Sequence, residues 1–173
     1  MEKYDIDLKN ENKFFEIKNK INMENPTFLT RQYSYGTDDG EESSLSISVD
    51  SNNGDILDIS CLNKDDAIED EQYLNLLTIN KDIEKRNTSP FFTPTGLDYD
   101  EIYGDISDFK VIFSKEKISI ILKEGEEVSY FIDGRMTLYY DKNQDLLRIE
   151  IKDLTKEEYE ALKHKKKEYN AIR

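Results

Sequence analysis

Hydrophobic and polar residues alternate over short stretches of this chain and seldom run together. Leu45, Ile47 and Val49 recur every second residue with Ser46 and Ser48 between them, which predicts a half-buried strand. Asn53-Gly54 follows as a hairpin turn, and Ile56, Leu57, Ile59 and Cys61 build the return strand. Phe28 to Tyr35 reads as another strand, followed by an acidic loop from Gly36 to Ser43 that holds two glycines. A denser series comes later: Phe109–Ser114, Lys117–Lys123, Val128–Ile132, Arg135–Tyr140 and Leu146–Ile151. Lys115-Glu116, Gly125, Asp133-Gly134 and Asn143-Gln144 separate these strands, and Asp133-Gly134 is a type I′ turn signal.

Helical spacing is confined to three places. Phe14, Ile17 and Ile21 suit one helix face, with a strand as the alternative, and Pro26 ends that element. Ile68, Tyr73, Leu76, Leu77, Ile79 and Ile83 predict a helix over 66–86, capped by Asn63 or Asp65. Thr155-Lys156-Glu157-Glu158 is a capping box opening a last helix, with Tyr159, Leu162 and either Tyr169 or Ile172 toward the core. Residues 87–108, with Pro90, Pro94 and Gly96, read as the longest loop. The fold class predicted is α+β: a mostly antiparallel sheet of about six to eight strands with helices packed on it and a C-terminal helix. One domain over 1–173 accommodates this, with an acidic part at 1–108 and a near-neutral sheet-helix part at 109–173.

The chain also echoes itself. Leu45 to Ile59 matches Met136 to Ile149 with one gap at Gly54, pairing Asp50 with Asp141, Asp55 with Asp145, Leu57 with Leu147 and Ile59 with Ile149. Any two hairpins with aspartate turns share this look, so a duplication stays open at this point.

Charge changes the picture most. The net charge is −14; residues 1–108 hold 25 acidic and 10 basic side chains, and residues 109–173 hold 13 and 14. A concentrated negative field attracts cationic partners and speeds their encounter, and it argues against nucleic acid as a partner. A single cysteine, Cys61, excludes an internal disulfide and fits a reducing compartment. No apolar h-region follows the first residues, and the longest apolar run, Ile118 to Leu122, is interrupted by Ser119, so a cytoplasmic protein without a membrane partner is expected.

Catalytic motifs are missing. The one histidine, His164, sits among Lys163, Lys165, Lys166 and Lys167, where a solvated role is expected; these lysines are read as complementing the helix dipole. One cysteine and one histidine make no zinc site, and no G-x-S-x-G, P-loop or G-x-G-x-x-G is present. Asp141-Lys142-Asn143-Gln144-Asp145 starts like a calcium loop, but Leu146 stands where glycine belongs, so a backbone-bonding aspartate turn is the expectation. The chain is therefore read as a non-enzyme with no cofactor and no metal. Partner contact is assigned to Asp65, Asp66, Glu69, Asp70 and Glu71, and to a second stretch combining acids with aromatic anchors: Phe91, Phe92, Asp98, Tyr99, Asp100, Glu101, Tyr103 and Asp105.

Residues 128–163, from Val128-Ser129-Tyr130-Phe131-Ile132-Asp133-Gly134-Arg135 through Leu147-Arg148-Ile149-Glu150-Ile151 to Thr155-Lys156-Glu157-Glu158-Tyr159, resemble the tail of small bacterial immunity proteins. Those proteins accompany contact-dependent inhibition and other polymorphic toxins. The resemblance covers about a fifth of the chain and lies in its strands, its Asp-Gly turn and its capped helix. It implies a cytoplasmic protein that binds the C-terminal domain of a toxin, often a nuclease with a basic cleft. It carries no site residue over. A DNA-mimicking inhibitor, a carboxylate-dependent enzyme and an assembly subunit are the alternatives.

Overall fold

The alternation read from the sequence builds two sheets. A computed structural model describes residues 2–20, 30–36, 44–50, 53–62, 67–77, 82–89, 101–103 and 109–171. In chain order the elements are β1 (Tyr4–Asp7), β2 (Phe15–Asn19), β3 (Thr30–Gly36), β4 (Ser44–Asp50), β5 (Ile56–Leu62), β6 (Ile68–Glu69), α1 (Glu71–Leu77), β7 (Glu84–Lys85), β8 (Glu101–Tyr103), β9 (Lys110–Phe113), β10 (Ile118–Ile121), β11 (Ser129–Asp133), β12 (Met136–Tyr140), β13 (Leu146–Ile151) and α2 (Lys156–Ala171). The class is α+β and mostly antiparallel. Two compact units result: unit 1 spans 1–63 and 87–108, unit 2 spans 64–86 and 109–173.

Unit 1 holds a six-stranded sheet in the order β1-β2-β5-β4-β3-β8. Its period-two pattern sends Tyr4, Ile6, Phe15, Ile17, Ile59, Cys61, Leu45, Ile47 and Val49 into the core, none more than 8% exposed. Residues 15–19 are strand rather than helix: Phe14 and Phe15 are both fully buried, and Phe14 N–H donates to the Cys61 carbonyl at 2.8 Å. Two consecutive buried rings fit a strand entering the sheet better than one stripe of a helix.

Unit 2 holds a seven-stranded sheet in the order β6-β9-β10-β13-β12-β11-β7. One face carries Val111, Phe113, Ile118, Ile120, Leu138, Ile149 and Ile151, all buried. α2 lies over this face, with Lys166 Nζ 5.8 Å from the Phe113 ring. The capping box forms as predicted: Glu158 N–H donates to Thr155 Oγ1 (3.1 Å) and Thr155 N–H to Glu158 Oε1 (2.9 Å). Arg135 forks onto the same carboxylate at 2.8 and 2.7 Å, which ties the helix start to the β11–β12 turn. Lys163, Lys165, Lys166 and Lys167 fall in the middle of α2 and not in its last turn; Lys163 lies over Tyr159, Lys165 is buried, and His164 is exposed. Lys163, Lys165 and Lys166 pack their stems more than they complement the dipole.

Three further expectations are corrected. The helix predicted over 66–86 shrinks to α1, framed by β6 and β7, and its cap is Asp70, whose Oδ1 accepts from Tyr73 N–H at 2.9 Å. Leu74 is the buried residue, packed with Leu77 against Ile112 and Ile121, whereas Ile68, Tyr73 and Leu76 are exposed. Hydrophobic residues at both 73–74 and 76–77 allowed two stripes, and the sheet selected the other one. Part of the predicted 87–108 loop is a strand, β8. The β11–β12 turn is centred on Gly134-Arg135, one residue later than the Asp-Gly signal, with Gly134 at φ 60° as the first central residue, the II′ arrangement.

The echo between hairpins extends through both sheets. In each unit five strands take the order first-second-fifth-fourth-third, all antiparallel, and parallel strands attach only at the edges. Ser48 pairs with Asp58 and Val49 with Ile56; Tyr139 pairs with Arg148 and Tyr140 with Leu146. The register therefore shifts at the same place, leaving Leu57 and Leu147 as the extra residues of matching bulges. Asp50 N–H donates to the Asp55 carbonyl (2.8 Å) just as Asp141 N–H donates to that of Asp145 (3.1 Å). The match continues outward: Lys18, Glu16 and Phe15 pair with Asp58, Ser60 and Cys61 as Ile121, Ser119 and Ile118 pair with Arg148, Glu150 and Ile151. A register so strictly kept over five strands is the structure of an internal repeat.

Candidate functional site

The side chains that leave the core of unit 1 form a polar sheet face. Asp5 and Asp7 on β1, Glu16 and Lys18 on β2, Asp58 and Ser60 on β5, Ser44, Ser46 and Ser48 on β4, and Gln32 on β3 share it. Gln32 Nε2 donates to Ser46 Oγ. Lys13 Nζ donates to the Glu16 carboxylate and to Ser60 Oγ (3.2 Å), and Lys18 Nζ bridges Glu16 (3.2 Å) and Asp7 (3.5 Å). Burial pushes Glu16 up, but the hydrogen bonds from Lys13 and Lys18 outweigh it and hold its carboxyl below the ordinary value. Asp7 is held low first by the N–H of Lys9 and then by Lys18.

Asp58 breaks this pattern. Its Oδ2 accepts only from Ser60 Oγ at 3.4 Å, and its buried Oδ1 has no partner. Burial first, and the neighbouring Glu16 charge second, push its pKa up to about 6 against the pull of Lys13, Ser60 and Lys18.

The matching place in unit 2 holds Arg148. Its Nε and Nη2 donate to the two oxygens of Glu127 at 3.1 Å each, and its Nη1 donates to Glu150 (2.6 Å) and Ser119 (3.2 Å). Its guanidinium lies 3.9 Å from the centre of the Tyr139 ring. Burial would lower the Arg148 pKa, but the Glu127 hydrogen bonds prevail and raise it. Burial, and then the Glu150 charge, raise that of the Tyr139 hydroxyl. A cleft of about 160 Å³ adjoins this cluster, lined by Tyr73, Leu77, Lys123, Glu127, Leu147 and Arg148 among others. At its rim a Cβ on Gly125 would stand 3.2 Å from Leu147 Cδ2, close enough that the leucine side chain would have to give by a few tenths of an ångström.

No protein-family model matches this chain, and no curated protein matches it.

The residues assigned to partner contact divide between the units. Glu69, Asp70 and Glu71 are exposed or half-exposed in unit 2, where Asp70 caps α1 and Glu69 Oε2 accepts from the Tyr159 hydroxyl at 2.6 Å. That bond is the first cause of a Tyr159 pKa pushed up to about 12. Glu101 and Tyr103 belong to unit 1, in β8 at the edge of its sheet. Asp65, Asp66, Phe91, Phe92, Asp98, Tyr99, Asp100 and Asp105 lie outside the described residues. Asp58, Glu16, Arg148 and Glu127 were not singled out from the sequence. The signal was present in the echo, which sets Asp58 against Arg148, opposite charges at matching strand-interior positions.

The Asp141 turn is a backbone-bonding one: its Oδ1 accepts from the N–H groups of Asn143 (2.9 Å) and Asp145 (3.0 Å). Among the described residues no group of three or more His, Cys, Asp or Glu side chains is placed to hold a metal ion, and no helix is long and apolar enough to cross a membrane.

Proposed function

We propose that this protein is an immunity protein, a stoichiometric inhibitor that neutralises a cationic toxin domain by docking its acidic unit onto it. The observation that carries this reading is where the charge resides. Unit 1 has 18 acidic and 6 basic residues, a balance of −12, whereas unit 2 has 20 and 18, a balance of −2. Within unit 1 Asp5, Asp7, Glu16 and Asp58 share one sheet face with serines and with Lys18, while the other face is apolar. Such a face supplies a steering field, and its short serine side chains let a partner approach the sheet closely. A basic nucleic-acid-binding cleft is the complementary surface.

An enzyme with a carboxylate site would also place a raised-pKa acid beside a second carboxylate. Here one Asp58 oxygen is buried without a partner and the other bonds Ser60, an arrangement that supports a structural role for this carboxylate and so the binding reading.

The test is co-expression with a toxin encoded beside it, combined with stopped-flow association of the purified pair. Charge reversal at Asp5, Asp7 and Asp55, or at Asp98, Asp100 and Asp105, is expected to slow association by about tenfold at low salt and to abolish rescue of growth. Reversal at Glu124, Glu126 and Glu160 in unit 2 is the matched control. Equal effects from both sets, or none from the first, would remove unit 1 as the docking surface.

A further inference from the structure

The cleft beside Arg148 lies wholly within unit 2 and has two kinds of wall. Leu77 of α1, Ile121 of β10 and Leu147 of β13 make an apolar side, and the last two are buried. The buried Glu127 and Arg148 make the floor, while Tyr73, 40% exposed, and Lys123, 50% exposed, stand at the mouth. A volume of about 160 Å³ falls well short of the roughly 300–1,000 Å³ that a whole drug-sized molecule occupies. It leaves room for one long side chain.

Charge decides which side chain. Each cation lining the cleft is already held by two carboxylates: Arg148 by Glu127 and Glu150, Lys123 by Asp145 (3.1 Å) and Asp141 (3.9 Å). Glu124 at the rim is 89% exposed, with Lys110 3.6 Å away. Three cations thus face five carboxylates, and the stretch from Ala67 to Leu77 adds Glu69, Asp70 and Glu71 with no basic residue. An incoming anion would have to draw a lysine or arginine away from carboxylates that hold it, whereas an incoming cation reduces the surplus.

The surface around the mouth suits a protein chain. Among the described residues four large hydrophobics are exposed, and three of them, Ile68, Tyr73 and Leu76, belong to β6 and α1. Tyr73 and Leu76 stand three residues apart on one helix and share a face, so the mouth of the cleft continues into apolar surface. A small metabolite has no use for that surface; a polypeptide that inserts one side chain covers it.

We propose that this cleft receives one arginine side chain of a protein partner, with its stem along Leu77 and its guanidinium between the Tyr73 ring and Glu127. A guanidinium already lies on a tyrosine ring in this unit, where Arg148 stands 3.9 Å from the centre of Tyr139. The site is separate from the acidic face of unit 1 and does not depend on that face being a docking surface.

The probes are N-acetyl-arginine N-methylamide, its citrulline counterpart and free arginine, each titrated into the full-chain protein and followed by amide NMR shifts. Citrulline keeps the length and removes the charge. Blocked arginine is expected to move the Gly125 and Tyr73 signals and to bind at least about fivefold more tightly than blocked citrulline. Tyr73→Ala, at an exposed position, should weaken it several-fold, and Tyr73→Phe, which keeps the ring face, should leave it unchanged. Equal affinity for citrulline would remove the cation from the proposal. Tighter binding of free than of blocked arginine would overturn the protein partner in favour of a metabolite. Binding that leaves Gly125 unmoved, or no binding at millimolar concentrations, would overturn the cleft itself. Charge reversal in unit 1 tests the immunity reading independently, so either can fail while the other stands.

Discussion

Asp58 and Arg148 occupy the same place in two copies of one strand pattern and carry opposite charge. Around Arg148 the unit is sealed: Tyr139 stacks on the guanidinium, two glutamates fill its fork, and α1 packs beside it on Ile112 and Ile121. In unit 1 a serine, Ser48, replaces the tyrosine, Ser60 replaces Glu150, and Glu16 replaces Ser119. The same backbone therefore uses its second face internally in one unit and leaves it acidic, hydroxylated and half-open in the other. A repeat fixes strand order and register; which face is turned outward is decided by a handful of side chains.

The largest expected effect falls on the sealed side. Arg148→Ala leaves Glu127 and Glu150 buried without their cation and is expected to cost about 3–5 kcal/mol in urea unfolding. A loss below about 1 kcal/mol would show that this cluster does not differ energetically from a surface ion pair. Thr155→Ala, which removes the cap of the helix covering unit 2, is expected to cost about 1 kcal/mol, with faster amide exchange in the first turn of α2.

The open side should respond with the other sign. Asp58→Asn is expected to stabilise the protein by about 1 kcal/mol at pH 7.5, a figure discounted for the partial exposure of the group. The folded pKa of Asp58, about 6, lies above the ordinary 3.8, so the folded state takes up a proton first and wild-type stability from this group rises as pH falls through 6. The advantage of Asp58→Asn should therefore vanish by about pH 4, which urea midpoints of both proteins against pH would reveal. A constant difference would mean that the carboxyl is not the titrating group. Glu158 behaves oppositely: burial raises its pKa, but the Arg135 fork and the Thr155 cap prevail and lower it, so its contribution is lost as pH drops below the usual carboxylate range. The smallest effect is expected from Tyr159→Phe, which removes one hydroxyl bond to Glu69 and should cost about 1 kcal/mol or less.

Strands of strict alternation were legible in the sequence because period two has one meaning when one face is apolar: β4, β5, β12 and β13 follow from the Leu45-Ser46-Ile47, Met136-Thr137-Leu138 and Arg148-Ile149-Glu150-Ile151 patterns directly. The capping box at Thr155 was legible for the same reason, since its chemistry is local. Elements governed by distant partners were not. The segment 66–86 has helical spacing throughout, yet pairing of Ile68 and Glu69 with β9 and of Glu84 and Lys85 with β11 claims both of its ends. The Arg148 cluster combines residues from 119, 127, 139, 148 and 150, whose meeting depends on strand order, which no local pattern encodes.

The chain visits the two sheets in an interleaved order: β6, α1 and β7 are made before β8, yet belong with β9 through β13. On the ribosome those pieces emerge while most of their sheet does not exist, and at 5–20 residues per second the remaining 109–173 stretch takes roughly 3–13 seconds to follow. Until residues 112–121 have followed, Leu74 has no Ile112 or Ile121 to pack on. Unit 1, by contrast, already has its first five strands, and among the described residues β8 is the strand still to come. All six strands of the acidic unit's sheet thus leave the ribosome before β9 to β13, and the charged sheet of the protein is synthesised ahead of the near-neutral one.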